Sequence, residues 1–440
     1  MKSLYEYDNW ESTGFSHEKI KRFKSYLDEI WQSRKRYGLI EDSEDSYYET
    51  NKNKQRFLEF DGDKIKAKNH VGFIQFEGLT VDIYPKICKN IPQEEIVSKV
   101  LYWLSYGKKI NLPFAELPLD RQPFDNWLEA FIFIFAHHSE EILSNQPYQS
   151  YQEITEETSF LRGQLAIAQY IQNNVLTGRH QYFHCTYEPF LYDNQFNRIV
   201  KAVSRMLLNI TNNEKSREKL NSLAFLLDDV SDDNCQTSHC DLVKLNPLYQ
   251  DLKIILEMCR MFLSSSIINQ SDSSSNNFCL LLPMEVVFEE FIFGIIEKHF
   301  TNQNPVAQQE GYLAKNENDY KVFKLKQDII LHHPENYYPY LIIDTKYKIR
   351  DKKDNKKGIS QGDMYQMLAY AVRRNIDHVL LIYPKKDGEM NSEIDTFTIA
   401  DTFANDKPIT IKAADINICC EEEVIKTQLE SVLGTCVFQL

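Results

Sequence analysis

The chain has 440 residues, 42% hydrophobic and 12% aromatic, enough for two or three domains with sizeable cores. Its formal charge of −14 argues against a stand-alone nucleic-acid binder, whose attraction to phosphate rests on Lys and Arg. No run of about 18 apolar residues reads as a membrane span, no apolar stretch follows Met1, and the scattered cysteines fit a reduced, cytoplasmic protein.

Ile20, Phe23, Tyr26, Leu27 and Ile30 recur at helical spacing and predict a helix over 14–37. Short strands are expected at 56–60, 71–76 and 79–84, the last closed by Pro85. Residues 94–145 and 160–265 read as mainly helical, with Leu101, Leu104, Trp127, Leu128, Phe131, Ile132 and Phe135 on apolar faces. Ser264–Ser266 and Ser271–Asn277 have the composition of a linker. Beyond Phe278 the expected order is helix 283–299, strands 321–331 and 340–349, helix 361–375, strands 378–384 and 394–400, and helix 421–433. The chain is therefore expected to be multidomain α+β. A β-containing N-terminal region spans 1–92, a mainly helical middle 93–265, a serine-rich linker 266–277 and an α/β domain 278–440. No Gly-x-x-x-x-Gly-Lys-Ser/Thr occurs, and Gly107-Lys108-Lys109 lacks the preceding spacing, so no P-loop is expected.

The chemistry concentrates between residues 323 and 370. Asp328 sits in one apolar run, and Leu341–Ile343 leads into Asp344-x-Lys346. Residues two apart on a strand share a face, so Lys346 lies beside Asp344, with Thr345 directed to the opposite face. Asp-x-Lys alone is a common chance pair on a solvated strand rim. Here it closes a buried-type run, where a charged pair is unusual, and a helix follows with Gln366 and Tyr370 on one face. Two carboxylates on adjacent strands can hold a hard cation such as Mg²⁺ or Mn²⁺, and the lysine can orient a water or steady developing negative charge. This is the layout of a metal-dependent PD-(D/E)xK nuclease, a restriction-endonuclease-like fold. Upstream, Val287, Phe288, Phe291 and Ile292 form the inward face of a helix from which Glu289 or Glu290 could add a carboxylate, with Glu289 the expected metal ligand. Lys348, Arg350, Lys352 and Lys353 head a basic run reaching Lys357, read as a patch contacting the DNA backbone; the plainer alternative is a solvated loop. Cys235-x-x-x-His239-Cys240 has no second ligand pair nearby and reads as a polar surface loop rather than a zinc site.

Several segments together resemble the McrC family, the cleavage subunits of McrBC modification-dependent restriction systems. Leu341-Ile342-Ile343-Asp344-Thr345-Lys346-Tyr347-Lys348 and Asp363-Met364-Tyr365-Gln366-Met367-Leu368-Ala369-Tyr370 are similar to its nuclease core. Val71-Gly72-Phe73-Ile74 with Ile83-Tyr84-Pro85-Lys86-Ile87 resembles its amino-terminal signature. Leu161-Arg162-Gly163 and Asn197-Arg198-Ile199-Val200-Lys201 resemble its central motifs. The matches run in family order from about 70 to 385. One departure is Gln327, where the family often has proline; proline supplies no ligand, so Asp328 keeps its assignment. No segment of the first 60 residues matches. The resemblance implies an Mg²⁺-dependent endonuclease acting on double-stranded DNA with a hexameric McrB-like AAA+ GTPase. It also implies that residues 1–265 dock on that GTPase and stimulate it even without the nuclease domain. Two alternatives remain: a self-sufficient RecB-like repair nuclease, which shares the Gln-x-x-x-Tyr helix, and a non-catalytic adaptor that activates a motor.

Overall fold

A computed structural model describes residues 2–33, 54–107, 124, 126–245, 249–267, 278–386, 388, 394–400 and 408–437. It divides into two compact units. The first joins Met1–Trp127 with Ser274–Leu440, and the second is Leu128–Ser273.

The first unit begins with β1 (Lys2–Tyr5), β2 (Glu11–Ser12), α1 (His17–Ser33), β3 (Leu58–Asp61), β4 (Lys64–Ala67), β5 (His70–Phe76), β6 (Leu79–Tyr84) and α2 (Gln93–Leu104). Phe23 packs on Phe60 and Phe76, with ring centroids 5.8 and 5.0 Å apart, and so ties α1 to both small sheets of this region. The helix expected over 14–37 is observed as α1, its last residues falling outside the described ones.

The second unit carries α3 (Trp127–Asn145), β7 (Ser150–Tyr151), β8 (Ile154–Thr158), β9 (Gln164–Leu165), α4 (Ile167–Tyr170), β10 (Phe183–Tyr187) and β11 (Phe190–Leu191). It continues with α5 (Gln195–Leu208), α6 (Glu214–Leu226), α7 (Thr237–Leu242) and α8 (Gln250–Ile267). The short strands around 150–191 depart from the mainly helical expectation. They lack a long alternating apolar pattern and are mostly exposed or half-buried, so hydrophobic period gives little sign of them.

The chain then returns to the first unit with β12 (Phe278–Pro283), α9 (Met284–His299), β13 (Val306–Lys315), β14 (Lys321–His332), β15 (Pro339–Thr345), α10 (Gln361–Arg374), β16 (His378–Pro384), β17 (Asp395–Ile399), β18 (Ile409–Ile416) and α11 (Glu422–Val437). Strand β12 pairs antiparallel with β5, completing a sheet of order β1-β6-β5-β12. This revises the expected boundaries: 1–92 and the region after 278 share a sheet rather than forming separate domains. The serine-rich linker lies almost entirely outside the described residues. Gly72 shows why the pairing needs its residue. It adopts φ +133°, and a Cβ there would stand 2.1 Å from the Leu280 carbonyl oxygen.

The second sheet of this unit has six strands in the order β13-β14-β15-β16-β18-β17. Strands β15, β16 and β18 run parallel, while β13, β14 and β17 are antiparallel to their neighbours. Consecutive residues of β15 and β16, Ile342–Ile343 and Val379–Leu380, are all buried, as in a sheet covered on both faces. Met367, Tyr370 and Ala371 of α10 pack with Ile330, Ile342, Val379, Leu381 and Ile411. Among the described residues, no helix is long and apolar enough to cross a membrane.

Candidate active site

Strands β14 and β15 pair through Ile329 with Ile343 and Ile330 with Ile342. Ile330 and Ile342 belong to the cluster under α10. Strand alternation places Asp328 and Asp344, two residues from each, on that same face. The site therefore forms where two core strands run out from beneath one helix.

Asp344 is 1% exposed, and its Oδ2 lies 2.8 Å from the Lys346 ammonium. Burial pushes the Asp344 carboxyl up to about 8. Asp328 adds to the rise, Lys346 opposes it, and Glu289 contributes a smaller upward push. Burial alone would lower Lys346, but Asp344, Asp328 and Asp363 together outweigh this and the ammonium is held above its usual range. Lys346 Nζ also donates to Gln366 Oε1 at 3.0 Å. Gln366 Nε2 donates to Tyr370 Oη at 2.8 Å, and that hydroxyl donates to the Lys326 carbonyl at 2.7 Å. An ion pair and three hydrogen bonds thus link Asp344 through the lysine to α10 and back to β14.

The helix is cut to place this chain. Ser360 caps its first turn by accepting from the Asp363 amide, and Asn375 ends it in the left-handed conformation at φ 55°. Gln366 and Tyr370 stand one turn apart on the face toward the strands.

Thr345 departs from simple alternation. Strand β15 ends there instead of continuing to 349, and Asp328 Oδ2 accepts from both its amide, at 2.8 Å, and its hydroxyl, at 2.9 Å. The side chain expected on the opposite face instead steadies the Asp328 carboxylate. Glu289 and Glu290 separate clearly. Glu289 Oε1 accepts from Gln308 Nε2 at 3.1 Å, and its charge is felt at Asp344. Glu290 is buried, with Oε2 only 2.8 Å from where a Cβ on Gly107 would sit.

The basic run also separates. Arg350, expected on a DNA-contacting patch, has a side chain only 1% exposed. Its guanidinium grips Asp415 through two bonds of 2.6 and 2.8 Å and Asp395 through one of 2.9 Å. A fork so engaged fixes the loop after β15 and is not available to phosphate, so Arg350 leaves the expected set. Lys352 leans on the same Asp415 at 2.7 Å. The Lys348 side chain is 58% exposed and 3.5 Å from Asp363, and Lys353 is exposed.

In the second unit, Cys235 and Cys240 are buried rather than part of a polar surface loop. Asp233, Cys235 and His239 bring ligand-type atoms within 4.8 Å of one another. His239 Nδ1, however, accepts the Gln236 amide at 3.2 Å in a capping box that opens α7, which accounts for the ring without a metal. The Asn197–Lys201 motif also has structural work. Asn197 donates to the carbonyls of Tyr148 and Tyr192 at 2.9 and 2.7 Å, Arg198 forks onto Asp193, and Lys201 donates to the Val230 carbonyl. In the Leu161–Gly163 motif, the Arg162 guanidinium lies 4.2 Å from the Tyr187 ring centroid.

Residues 65–384, which hold the carboxylates, the lysine and α10, match the family described as McrBC 5-methylcytosine restriction system component. The chain belongs to the McrBC family. It is similar to a chain in the refined half-complex from the tetradecameric assembly of Thermococcus gammatolerans McrB AAA+ hexamers with bound McrC. The TM-score is 0.69 at 20% identity, over 98% of this chain and 99% of that one. It is also similar to a chain of the Thermococcus gammatolerans McrBC complex determined by cryo-EM, with TM-score 0.51 at 22% identity, over 68% of this chain and 88% of that one. No curated protein matches the sequence. At these identities the structural likeness speaks for the McrBC fold.

Proposed function

We propose that this McrBC-family chain is the DNA-cleaving subunit of a restriction system, working with an AAA+ GTPase of the McrB type. The observation that carries the reading is the pair of buried Asp344 with half-buried Lys346, joined to Gln366 and set beside Asp328. Charge burial of this kind is costly, and a pair with no chemistry to perform is readily replaced by apolar side chains.

The donor set fits a hard divalent cation. Asp328, Asp344 and Glu289 offer only oxygens, and their mutual repulsion is what helps drive Asp344 upward. Asp328 and Asp344 would hold Mg²⁺ or Mn²⁺, with Glu289 as the outer carboxylate. Bound there, the ion would supply Lewis-acid polarisation and charge neutralisation at the scissile phosphate. Lys346 sets its ammonium where negative charge develops on the phosphoryl oxygens. Gln366 fixes the direction of that ammonium, and Tyr370 fixes the Gln366 amide. Thr345 holds Asp328 in one rotamer by two donated bonds. Lys348 and Lys353 remain as contacts to the DNA backbone.

Partnership with a GTPase is supported by the family match and by the absence of a P-loop in the sequence. The test is cleavage of plasmid DNA bearing 5-methylcytosine, with Mg²⁺, GTP and the cognate AAA+ partner. Cutting that requires all three is the expected result. Vigorous cutting by the purified chain alone, indifferent to GTP, would favour a self-sufficient nuclease. No cutting under any condition, together with full GTPase stimulation, would favour the adaptor.

A further inference from the structure

The active-site strand is held from an unexpected quarter. Lys346 has its own amide bonded to the Ile382 carbonyl at 2.9 Å, and the chain then turns away at Tyr347. Tyr347 is buried, and both of its polar ends are gripped by residues more than 250 positions earlier in the chain. Its hydroxyl donates to Glu6 Oε2 at 2.8 Å. Its carbonyl accepts from Lys86 Nζ at 2.8 Å, and that ammonium stands 4.1 Å from the Tyr347 ring centroid. Glu6 Oε2 also accepts the Lys86 amide at 3.1 Å, which closes the triangle. The ring packs on Phe288 of α9, with centroids 5.8 Å apart.

Resting on the nuclease reading, we propose that Lys86 and Glu6 are positioning residues for DNA cleavage, acting through Tyr347 to hold Lys346 against Asp344. Three features point to this role rather than to generic core packing. A buried carboxylate with a half-buried ammonium beside it is costly, and apolar side chains would fill the space more cheaply. Glu6 is 1% exposed, and its Oε1 makes no hydrogen bond, so the carboxylate is arranged around the tyrosine hydroxyl and the Lys86 amide. The grip also falls on the residue next to Lys346, whose ammonium must stay within bonding distance of two partners, Asp344 and Gln366. A displacement of about 1 Å at such a group is enough to cost roughly 100-fold in rate. Lys86 belongs to the Ile83–Ile87 signature, so the arrangement gives that segment a task in the cleavage chemistry although it lies in the N-terminal sheet region.

The experiment uses the full chain with its cognate AAA+ partner, GTP, Mg²⁺ and plasmid DNA bearing 5-methylcytosine. Steady-state cleavage, GTPase stimulation and thermal unfolding are measured together. Lys86→Met should lower kcat about 10- to 100-fold while KM for DNA and GTPase stimulation, measured well below its Tm, stay near wild type, even where loss of the cation beside Glu6 lowers Tm itself. Lys86→Arg, which can still reach the carbonyl, should recover most of the rate. Tyr347→Phe removes only the hydroxyl and should give a smaller loss, again in kcat; it serves if Lys86→Met fails to fold. Wild-type kcat in both Lys86→Met and Tyr347→Phe overturns the proposal. A parallel fall of kcat, GTPase stimulation and Tm in Tyr347→Phe also overturns it, since that is the mark of a structural role. If the wild-type chain does not cut, or Asp344→Ala cuts as well as wild type, the nuclease reading itself falls and takes this proposal with it.

Discussion

In the proposed site Asp344 is the central residue: burial, Asp328 and Glu289 favour its neutral form, while Lys346 favours its charge. Asp344→Ala or Lys346→Ala should each lower Mg²⁺-dependent cleavage by roughly 10²–10³-fold, the usual cost of removing one electrostatic contact to developing charge. Single-turnover cleavage with the partner and GTP present checks this; near-wild-type cutting by Asp344→Ala would remove it from the site. Asp82 offers a separate test in the same unit. It is 1% exposed, neither carboxylate oxygen has a hydrogen-bond partner, and burial pushes its carboxyl from 3.8 up to about 7. A carboxyl raised in the folded state contributes most below its unfolded pKa, and the contribution is lost as pH rises through the folded value. Wild-type stability should therefore lose a component between pH 3.8 and about 7 that Asp82→Asn does not show. Parallel pH–stability curves from urea unfolding of the two proteins would contradict this.

Helix α10 and strands β14, β15 and β16 are the elements most legible in the sequence. Their apolar runs are long, and the helical spacing of Gln366 and Tyr370 directs both toward the strand bearing Asp344, where Gln366 meets Lys346. What escaped was whatever depends on distant partners. Strand β13 carries no apolar alternation, being exposed or half-buried throughout, and β18 lies outside the expected elements although its Ile409, Ile411 and Ala413 are buried. Thr345 read as facing away because alternation cannot foresee that the strand ends there. Arg350 read as a phosphate contact because its partners, Asp395 and Asp415, lie 45 and 65 residues ahead. That clamp pins the loop after β15 to β17 and β18. Arg350→Met leaves buried Asp415 and half-buried Asp395 with the Lys352 ammonium as their remaining cation among the described residues, and should cost about 3 kcal/mol of unfolding free energy, the lower end for breaking a buried pair. Arg350→Lys should recover little of it, because an ammonium cannot fork onto Asp415. A denaturant midpoint unchanged in Arg350→Met would show the clamp to be dispensable.

For the whole molecule, the shared sheet changes what a truncation can report. Residues 1–265 were expected to act as a free-standing stimulator of the GTPase. That fragment lacks β12, which completes the β1-β6-β5-β12 sheet, as well as α9, whose Phe291 packs on Tyr102 and Trp103 of α2. It should be unstable, with an exposed β5 edge prone to aggregation. The separation of functions is better tested in the intact chain, where Asp344→Ala should abolish cutting while leaving stimulation of the cognate GTPase at the wild-type level. Loss of both activities in a well-folded Asp344→Ala protein would mean that cleavage and stimulation are not separable.

The pairing of Gly72 with Leu281 also sets an order of events at the ribosome. Strand β5 emerges early, yet its neighbour is made about 200 residues later, roughly 10–40 s at synthesis rates of about 5–20 residues per second. During that interval Leu128–Ser273 can collapse on its own, while the first strands wait with an open edge. Tyr347 is gripped by Glu6 and Lys86, so the proposed cutting centre reaches its final form only after both halves of the interrupted unit have met. On the nuclease reading, a nascent or prematurely ended chain would therefore carry no assembled blade, and the cell's own DNA would be spared an enzyme that matures piece by piece.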